Sequence, residues 1–594
     1  MAQPVGQVGI RAPGFQGLNT ELSPINGDPE FALLADNVVI DQIGRLCGRE
    51  AFATYTTLAG KNNIEFTKIG GAVTEVDSIH GTHVEGPVCV YKHGYLQTSS
   101  LRVDTQNGLS RHRSMREVEE LDENATYGVA VLKDDTLEDT TLPAGVNEQL
   151  QTAELVMFKE QTFLFAKQTP FMVLNDETWD VVGGKAILGT DASGNPSQDI
   201  NGDIAISAYG RLWVSGVDGN YQKIYYSSLL NENSWYDPRI PPEYDADGNM
   251  TNGPFDPPFN PQNDAGVIDV SEYWPTGNDT IVNIHAHNGF LLVFGRNSTL
   301  LYANANQDPA GENGIQLQDA ISNVGLVRRD AICNIGTDVL FVDDSGVRSI
   351  GRVVQEKSNP IGEPSLNIRR ELQQVIQQEI AADKGRSAIK MEYIPSKSMV
   401  VVLFRNLELA YSMQVNMPSK TGGLKVTRWT DCYWNDSFEA KRGDKDVVYL
   451  AGKPNRGLLK YKDYVEEEPY TMRYESMALV IGQNPLQVTI PKSLIYTIYS
   501  NSLPGDAVAR WGFSDRMDGT YDFRIDSDEP GSQYATDEYA EGQYGLGGSY
   551  YFNYKVHTSG SGEFFRVGLD IEIKGDYFAL QEITINSAIG RLSA

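Results

Sequence analysis

The chain has 594 residues, several times an ordinary domain, so it can enclose more than one hydrophobic core and is not a single small module. Lys and Arg total 49 against 79 Asp and Glu, a formal net charge of −30. That balance excludes the tight, sequence-reading DNA binding that depends on neutralising many phosphates; the charge keeps the surface soluble and self-repelling.

The chain opens MAQPVGQVGIRAPGFQGLNT, without a basic segment leading into an apolar one, so no secretory signal is expected. Later apolar runs such as MVVVLF (399–404) are too short to span a bilayer. Cys47, Cys89, Cys333 and Cys432 lie far apart with no C-x-x-C pair, which predicts free thiols in a reducing cytoplasm.

Residues 1–60 read as an N-terminal arm with closing strands: an extended segment, the apolar strand VVI (38–40), a Gly-centred turn and a return strand. Residues 61–150 read as a β-rich insertion or a first blade. They contain the acidic segment 117–139, with nine acids against Lys133.

From about residue 151 to 475 one unit recurs: an apolar strand, a turn of Gly, Asp, Asn or Lys, a second strand, and often a third ending in aromatics. ELVMFKEQTFLFA (154–166), IAISAYGRLWVSG with KIYYSSLLNENSWYD (204–237), IVNIHAHNGFLLVFGRNSTLLYA (281–303) and AICNIGTDVLFVDDSGVRSIG (331–351) fit it. AIKMEYIPSKSMVVVLF (388–404) and DVVYLAGKPNRGLLKYK (446–462) suggest further copies. Such small sheets bury their faces only by stacking around an axis, so the predicted architecture is an all-β β-propeller core of roughly six or more blades. Stacked β-sandwiches are the alternative.

A Pro/Gly-rich loop is predicted at 237–266 and one helix near 365–383, where Leu366, Ile368, Leu372, Val375, Ile376 and Ile380 recur at helical spacing. Beyond residue 475 longer alternating strands predict a C-terminal β-sandwich domain over 476–594. A second acidic run, 515–541, carries nine acids against Arg516 and Arg524.

No catalytic, cofactor-binding or metal-binding residue stands out. His80 with His83 and His285 with His287 lack the further ligands a zinc site needs. D-A-D-G-N at 245–249 begins like a calcium loop, but its twelfth position is Asp256 where a bidentate Glu is expected. S-D-R-M-D-G-T-Y (514–521) is similar to the Asp-box hairpin of sialidase-type propellers, with Asp518-Gly519 read as the hairpin turn. Phosphate-loop, zincin and nucleophile-elbow motifs are absent from the sequence.

The run GFQGLNTELSPINGDPEFALLADNVVIDQIGRLCGREAF resembles the opening of the tail nozzle proteins of short-tailed bacteriophages, also called tail tubular protein B. The matching positions are Gly17, Leu18, Asn19 and Thr20, then Ala35 and Asn37, then Gly44, Arg45, Leu46 and Arg49, with Phe52 closing the strand. VLFVDDSGVRSI (339–350) looks like a blade hairpin of that family, and GEFFRVGLDIEIKGDYFALQEITI is similar to its C-terminal β-domain.

The resemblance implies a non-enzymatic structural subunit of the virion tail, made and assembled in the host bacterial cytoplasm. It further implies a homo-oligomer, a hexamer, held below the adaptor protein, with tail fibres or spikes around it and the host cell surface at its tip. Such a ring would line and gate the DNA exit channel during ejection, with double-stranded DNA passing without tight binding. The rival expectation is a glycan-binding or glycan-cleaving tail protein using Trp213, Tyr273, Trp274 and Trp235 as stacking platforms, set against packing of those rings in blade cores.

Overall fold

Short alternating strands joined by tight turns pair first with their chain neighbours, and the computed structural model is built from such meanders. It describes residues 6–589 apart from 77–82, 100–117, 122–125, 175–180, 184–186, 191–195, 237–241, 254–263, 308–313, 357–362, 383–387, 463–468, 480–487, 501–504, 526–549 and several breaks of one or two residues.

Among the described residues seven meanders follow one another. Blade one runs Ile64–Val76, His83–His93, Thr126–Lys133 and Thr136–Asp139. Blade two spans Glu154–Phe158 to Val181–Gly183, blade three Ile204–Ala208 to Gly266–Asp269, and blade four Ile281–His287 to Gln316–Ser322. Blade five has three strands, from Ile332–Asn334 to Gly346–Ser349, and blade six runs from Ile389–Ile394 to Leu424–Trp429.

Blade seven takes Trp434–Arg442, Lys445–Gly452 and Leu458–Lys462, and its outermost strand is Ala51–Thr56 from the other end of the chain. The same segment then leads directly into blade one. The architecture is an all-β propeller.

The ring closes because every neighbouring pair of blades shares an apolar seam. Phe52, Val401, Trp429 and Leu450 fill the seam between blades six and seven. Phe66, Cys89, Tyr449 and Leu458 fill the one between seven and one. Val88 and Leu164 meet between one and two, Phe163 and Leu212 between two and three, Trp213 and Leu291 between three and four. Phe294 packs on Phe341 at 5.1 Å between four and five, and Val342, Ile389 and Val400 lie in the core that continues into blade six.

A helix, Arg369–Ala382, lies in sequence between blades five and six and buries Leu372, Ile376 and Glu379. The Glu379 carboxylate accepts the backbone N–H groups of Asn406 (2.8 Å) and Leu407 (3.1 Å), fixing a turn of blade six.

The sandwich expected over 476–594 is assembled from both ends of the chain. One sheet runs Val38–Ile40, Leu46–Gly48, Phe578–Ile589, Thr489–Ser500, Tyr550–His557, with Gly6–Arg11 also on Phe578–Ile589. The other runs Phe31–Asp36, Tyr470–Ser476, Phe565–Ile573, Gly505–Phe513, Arg516–Ile525. This second sheet continues into blade six through the parallel pairing of Asp36 with Arg428, so propeller and sandwich share a ten-stranded sheet. Tyr496 donates its hydroxyl across the sandwich to the Gly568 carbonyl at 2.9 Å.

Asp518-Gly519 is not the turn. The hairpin closes between Phe513 and Arg516, and Gly519 lies within the strand opposite Trp511, where a Cβ would come within 2.3 Å of the indole. Bulk at Trp511 overrides the local turn preference of an Asp-Gly pair.

A propeller closed by a strand from its own N-terminal segment depends on that strand for cooperativity. Phe52→Ala should cost about 3–5 kcal/mol, as for large aromatic deletions in cores, and a chain beginning at residue 57 should lose cooperative urea unfolding. A parental transition in the truncated chain would contradict this closure.

Candidate functional site

Two regions bring polar side chains from distant sequence into fixed geometry. The first is the propeller axis. Lys68 of blade one reaches Glu154 of blade two at 3.0 Å and Asp330, at the start of blade five, at 3.4 Å. Blades one and five are not neighbours, so the second contact crosses the axis.

Arg329 likewise contacts Glu154 at 3.6 Å and Asp203, just before blade three, at 3.8 Å. It also donates to the carbonyls of Thr152 (3.0 Å) and Asp203 (2.9 Å), while Asn283 of blade four donates to its carbonyl at 2.7 Å. Arg405 contacts Asp330 at 3.3 Å from blade six, and Lys390 joins Glu392 (3.2 Å) to Asp436 of blade seven (2.9 Å). Every blade therefore contributes to a polar plug.

Burial alone would raise the Asp330 carboxyl, but the charges of Lys68, Arg329, Arg405 and Lys390 outweigh it and hold the group well below the usual range. At Glu392 burial prevails over Lys390 and, with Asp436 nearby, raises the carboxyl. Pairing inside a low-dielectric channel makes each ion dependent on its partners. The arrangement ties blades together.

The second region is the joint between propeller and sandwich, and the N-terminal motif residues build it. Gly17 has φ +83° and lies so close to Val426 that a Cβ would come within 2.5 Å of its carbonyl oxygen. Leu18 is buried; the Asn19 side chain accepts the N–H groups of Glu21 (3.1 Å) and Leu22 (3.3 Å), and Thr20 donates its N–H to the Asn367 carbonyl at 2.8 Å.

Ala35 is buried one residue before Asp36, whose carboxylate holds Arg428 through two contacts of 2.6 and 3.0 Å. Asn37, at φ +56°, is the hub. Its amide donates to Thr430 Oγ1 and the Thr471 carbonyl, both at 3.0 Å, and its side-chain oxygen accepts from Thr430 N–H and Arg49 Nε, also at 3.0 Å.

Gly44 gives the left-handed turn at which Arg45 pairs with Asp41 (2.7 Å), and Leu46 is buried beyond it. The Arg49 guanidinium stacks over Phe52 (4.0 Å) and Tyr470 (4.3 Å), joining the closing strand to the sandwich.

Other sequence candidates are dispersed. Trp213, Trp235 and Trp274 are buried in blade seams, their indole N–H groups donating to Ala208 O, Glu232 O and Gln222 Oε1; Tyr273 alone of the four aromatics is exposed. Burial lowers the His285 pKa to about 4, leaving a neutral ring, whereas His80 lies outside the described residues, as does the side chain of His83. Asp245 accepts the N–H groups of Asp247 (2.9 Å) and Asn249 (2.8 Å), as an Asx turn does, and Asp256 lies outside the described residues.

The four cysteines are buried, and burial pushes Cys432 up to about 12. Among the described residues no group of three or more His, Cys, Asp or Glu is placed to hold a metal, and no helix is long and apolar enough to cross a membrane.

The axial plug was missed in the sequence although a signal exists. Glu154, Asp203, Asp330, Lys390 and Asp436 each stand within or just before the first strand of a repeat.

No family model and no curated protein matches the chain. Among solved structures it is similar to BamB from Moraxella catarrhalis, with 8% identity over 69% of this chain and 96% of that one and a TM-score of 0.30. YCF48 bound to D1 peptide matches at 10% identity over 68% and 93%, TM-score 0.33. Hsv2p of Kluyveromyces lactis matches at 10% identity over 62% and 99%, TM-score 0.26.

Asp330→Ala should cost about 3–5 kcal/mol, because it strands cations at the axis. The depressed Asp330 carboxyl gives stability that is complete above the ordinary value of 3.8 and lost as pH falls below it. Urea unfolding at neutral pH and below 3.8 should therefore show a smaller acid loss for Asp330→Asn than for the parent. Equal losses would remove Asp330 from the acid response.

Proposed function

We propose that this chain is the nozzle subunit of a short-tailed phage: a non-enzymatic structural protein that forms a homohexameric ring and lines the DNA exit channel. The observation that carries the reading is the run Gly17 to Phe52. The residues that resemble the nozzle family are also those that join propeller to sandwich and close the ring, so the resemblance rests on residues under structural constraint.

On this reading the DNA path follows the axis of the oligomer and runs between subunits, since ion pairs cross the axis of each propeller. The adaptor above and the fibres or spikes around the ring are its protein partners. Carboxylates facing the lumen would repel the phosphate backbone and deny it the counterion-releasing contacts that stall passage. The glycan reading draws no support from Trp213, Trp235 and Trp274, whose rings are buried.

Binding of duplex DNA to assembled rings across a salt series tests the proposal. Salt screens repulsion over a Debye length of about 8 Å at physiological strength, so residual association should stay flat or rise. Micromolar or tighter binding that falls steeply with salt would overturn the lubricated channel.

A further inference from the structure

The ion pairs at the propeller axis fall into two groups with different charge balance. In the first, Lys68, Arg329 and Arg405 face Glu154, Asp203 and Asp330, three cations to three carboxylates. The second, between blades six and seven, sets one ammonium, Lys390, against two carboxylates, Glu392 at 3.2 Å and Asp436 at 2.9 Å. Two carboxylates that share a single cation do not ionise equally.

Geometry distinguishes the two acids. Asp436, on the first strand of blade seven, is fully buried, and its Oδ2 accepts the Ile69 N–H of blade one at 3.1 Å, a bond that favours the ionised form. Glu392 stands two residues after Lys390 on the first strand of blade six, so both side chains leave the same face of that strand. It is farther from the ammonium, and its side chain is 28% exposed, which gives protons a route to it.

The other groups facing Glu392 include Lys68 of blade one and Cys333 of blade five. Lys68 is engaged with Glu154 and Asp330, and burial, reinforced by Glu392, keeps the Cys333 thiol neutral. Lys390 holds its charge, since Asp436, Glu392 and Asp330 outweigh the burial that opposes it.

We propose that the Lys390–Glu392–Asp436 triad is a proton-binding site: Glu392 carries the proton, Asp436 stays ionised against Lys390, and the contact between blades six and seven is firmest with the proton bound. Burial is the main cause that raises the Glu392 carboxyl above its ordinary 4.5, and despite the partial exposure it prevails over Lys390, with Asp436 adding to it. A carboxyl raised in the folded state contributes stability that is complete below 4.5 and lost as pH rises through the raised value. The sign is opposite to that of Asp330, whose contribution is lost on acidification. Blade seven is the one closed by Ala51–Thr56, so proton uptake acts beside the closing strand of the ring. This inference stands on the axial contacts and not on the nozzle reading.

Urea unfolding of the full chain between about pH 8 and the ordinary carboxyl value tests it with the isosteric Glu392→Gln. The variant never carries the surplus charge, so its urea midpoint should exceed the parent's at alkaline pH, and the difference should shrink toward zero as pH falls to 4.5. In an Asp436→Asn background Glu392 is the one carboxylate left on Lys390 in the triad, and Glu392→Gln should then lower the midpoint at alkaline pH. Infrared difference spectra, parent minus Glu392→Gln, should show a protonated carboxyl near pH 4.5 that disappears at alkaline pH. A parent midpoint above that of Glu392→Gln at alkaline pH, a difference independent of pH, or no carboxyl band would overturn the proposal. A pH-dependent gain produced by Asp436→Asn and not by Glu392→Gln would place the proton on Asp436 and contradict it as well.

Discussion

A propeller is a ring, and a ring made from a linear chain needs one seam where the two ends of the path meet. Here that seam is the pairing of Ala51–Thr56 with Leu458–Lys462. The seams from blade one round to blade seven join meanders adjacent in sequence; this pairing and the apolar seam between blades seven and one fix partners some four hundred positions apart and bear the loop-closure entropy of the ring. Phe52 lies on the closing strand among Trp429, Trp434 and Tyr461, so the pairing also completes an aromatic core. Once it forms, residues 6–48 are delivered to one side of the ring, where the strands from 470 onward meet them.

The same closure concentrates charge at the axis. The charged groups of the inner strands and the residues beside them pair with one another there. Lys68 with Asp330 and Arg329 with Glu154 are contacts between blades that share no seam, and Arg405 joins Asp330 from the neighbouring blade six. The axial pairs add contacts between blades to the apolar seams, and each buried ion depends on its partners.

What the sequence disclosed followed local physics. Meander units and the helix at Arg369–Ala382 are each written within a few tens of residues, and the structure has strands and helix on those segments. Partners across the chain were less legible. Nothing local tells Phe31–Asp36 to lie between Leu424–Trp429 and Tyr470–Ser476, because that choice follows from ring closure. Asp518-Gly519 misled for the same reason: its glycine makes room for Trp511 on the facing strand. The N-terminal motif was legible as a resemblance, while its physical meaning needed Asn37, Arg49 and Arg428 to be seen together.

The central claim is that the chain works as a ring with its passage between subunits. An electron cryomicroscopy map of the assembled protein tests it most directly. The account predicts six-fold symmetry, a central lumen wide enough for duplex DNA, and density across every propeller axis at Arg329 and Asp330. A monomer under all assembly conditions, or a ring whose lumen is too narrow for a duplex, would contradict it.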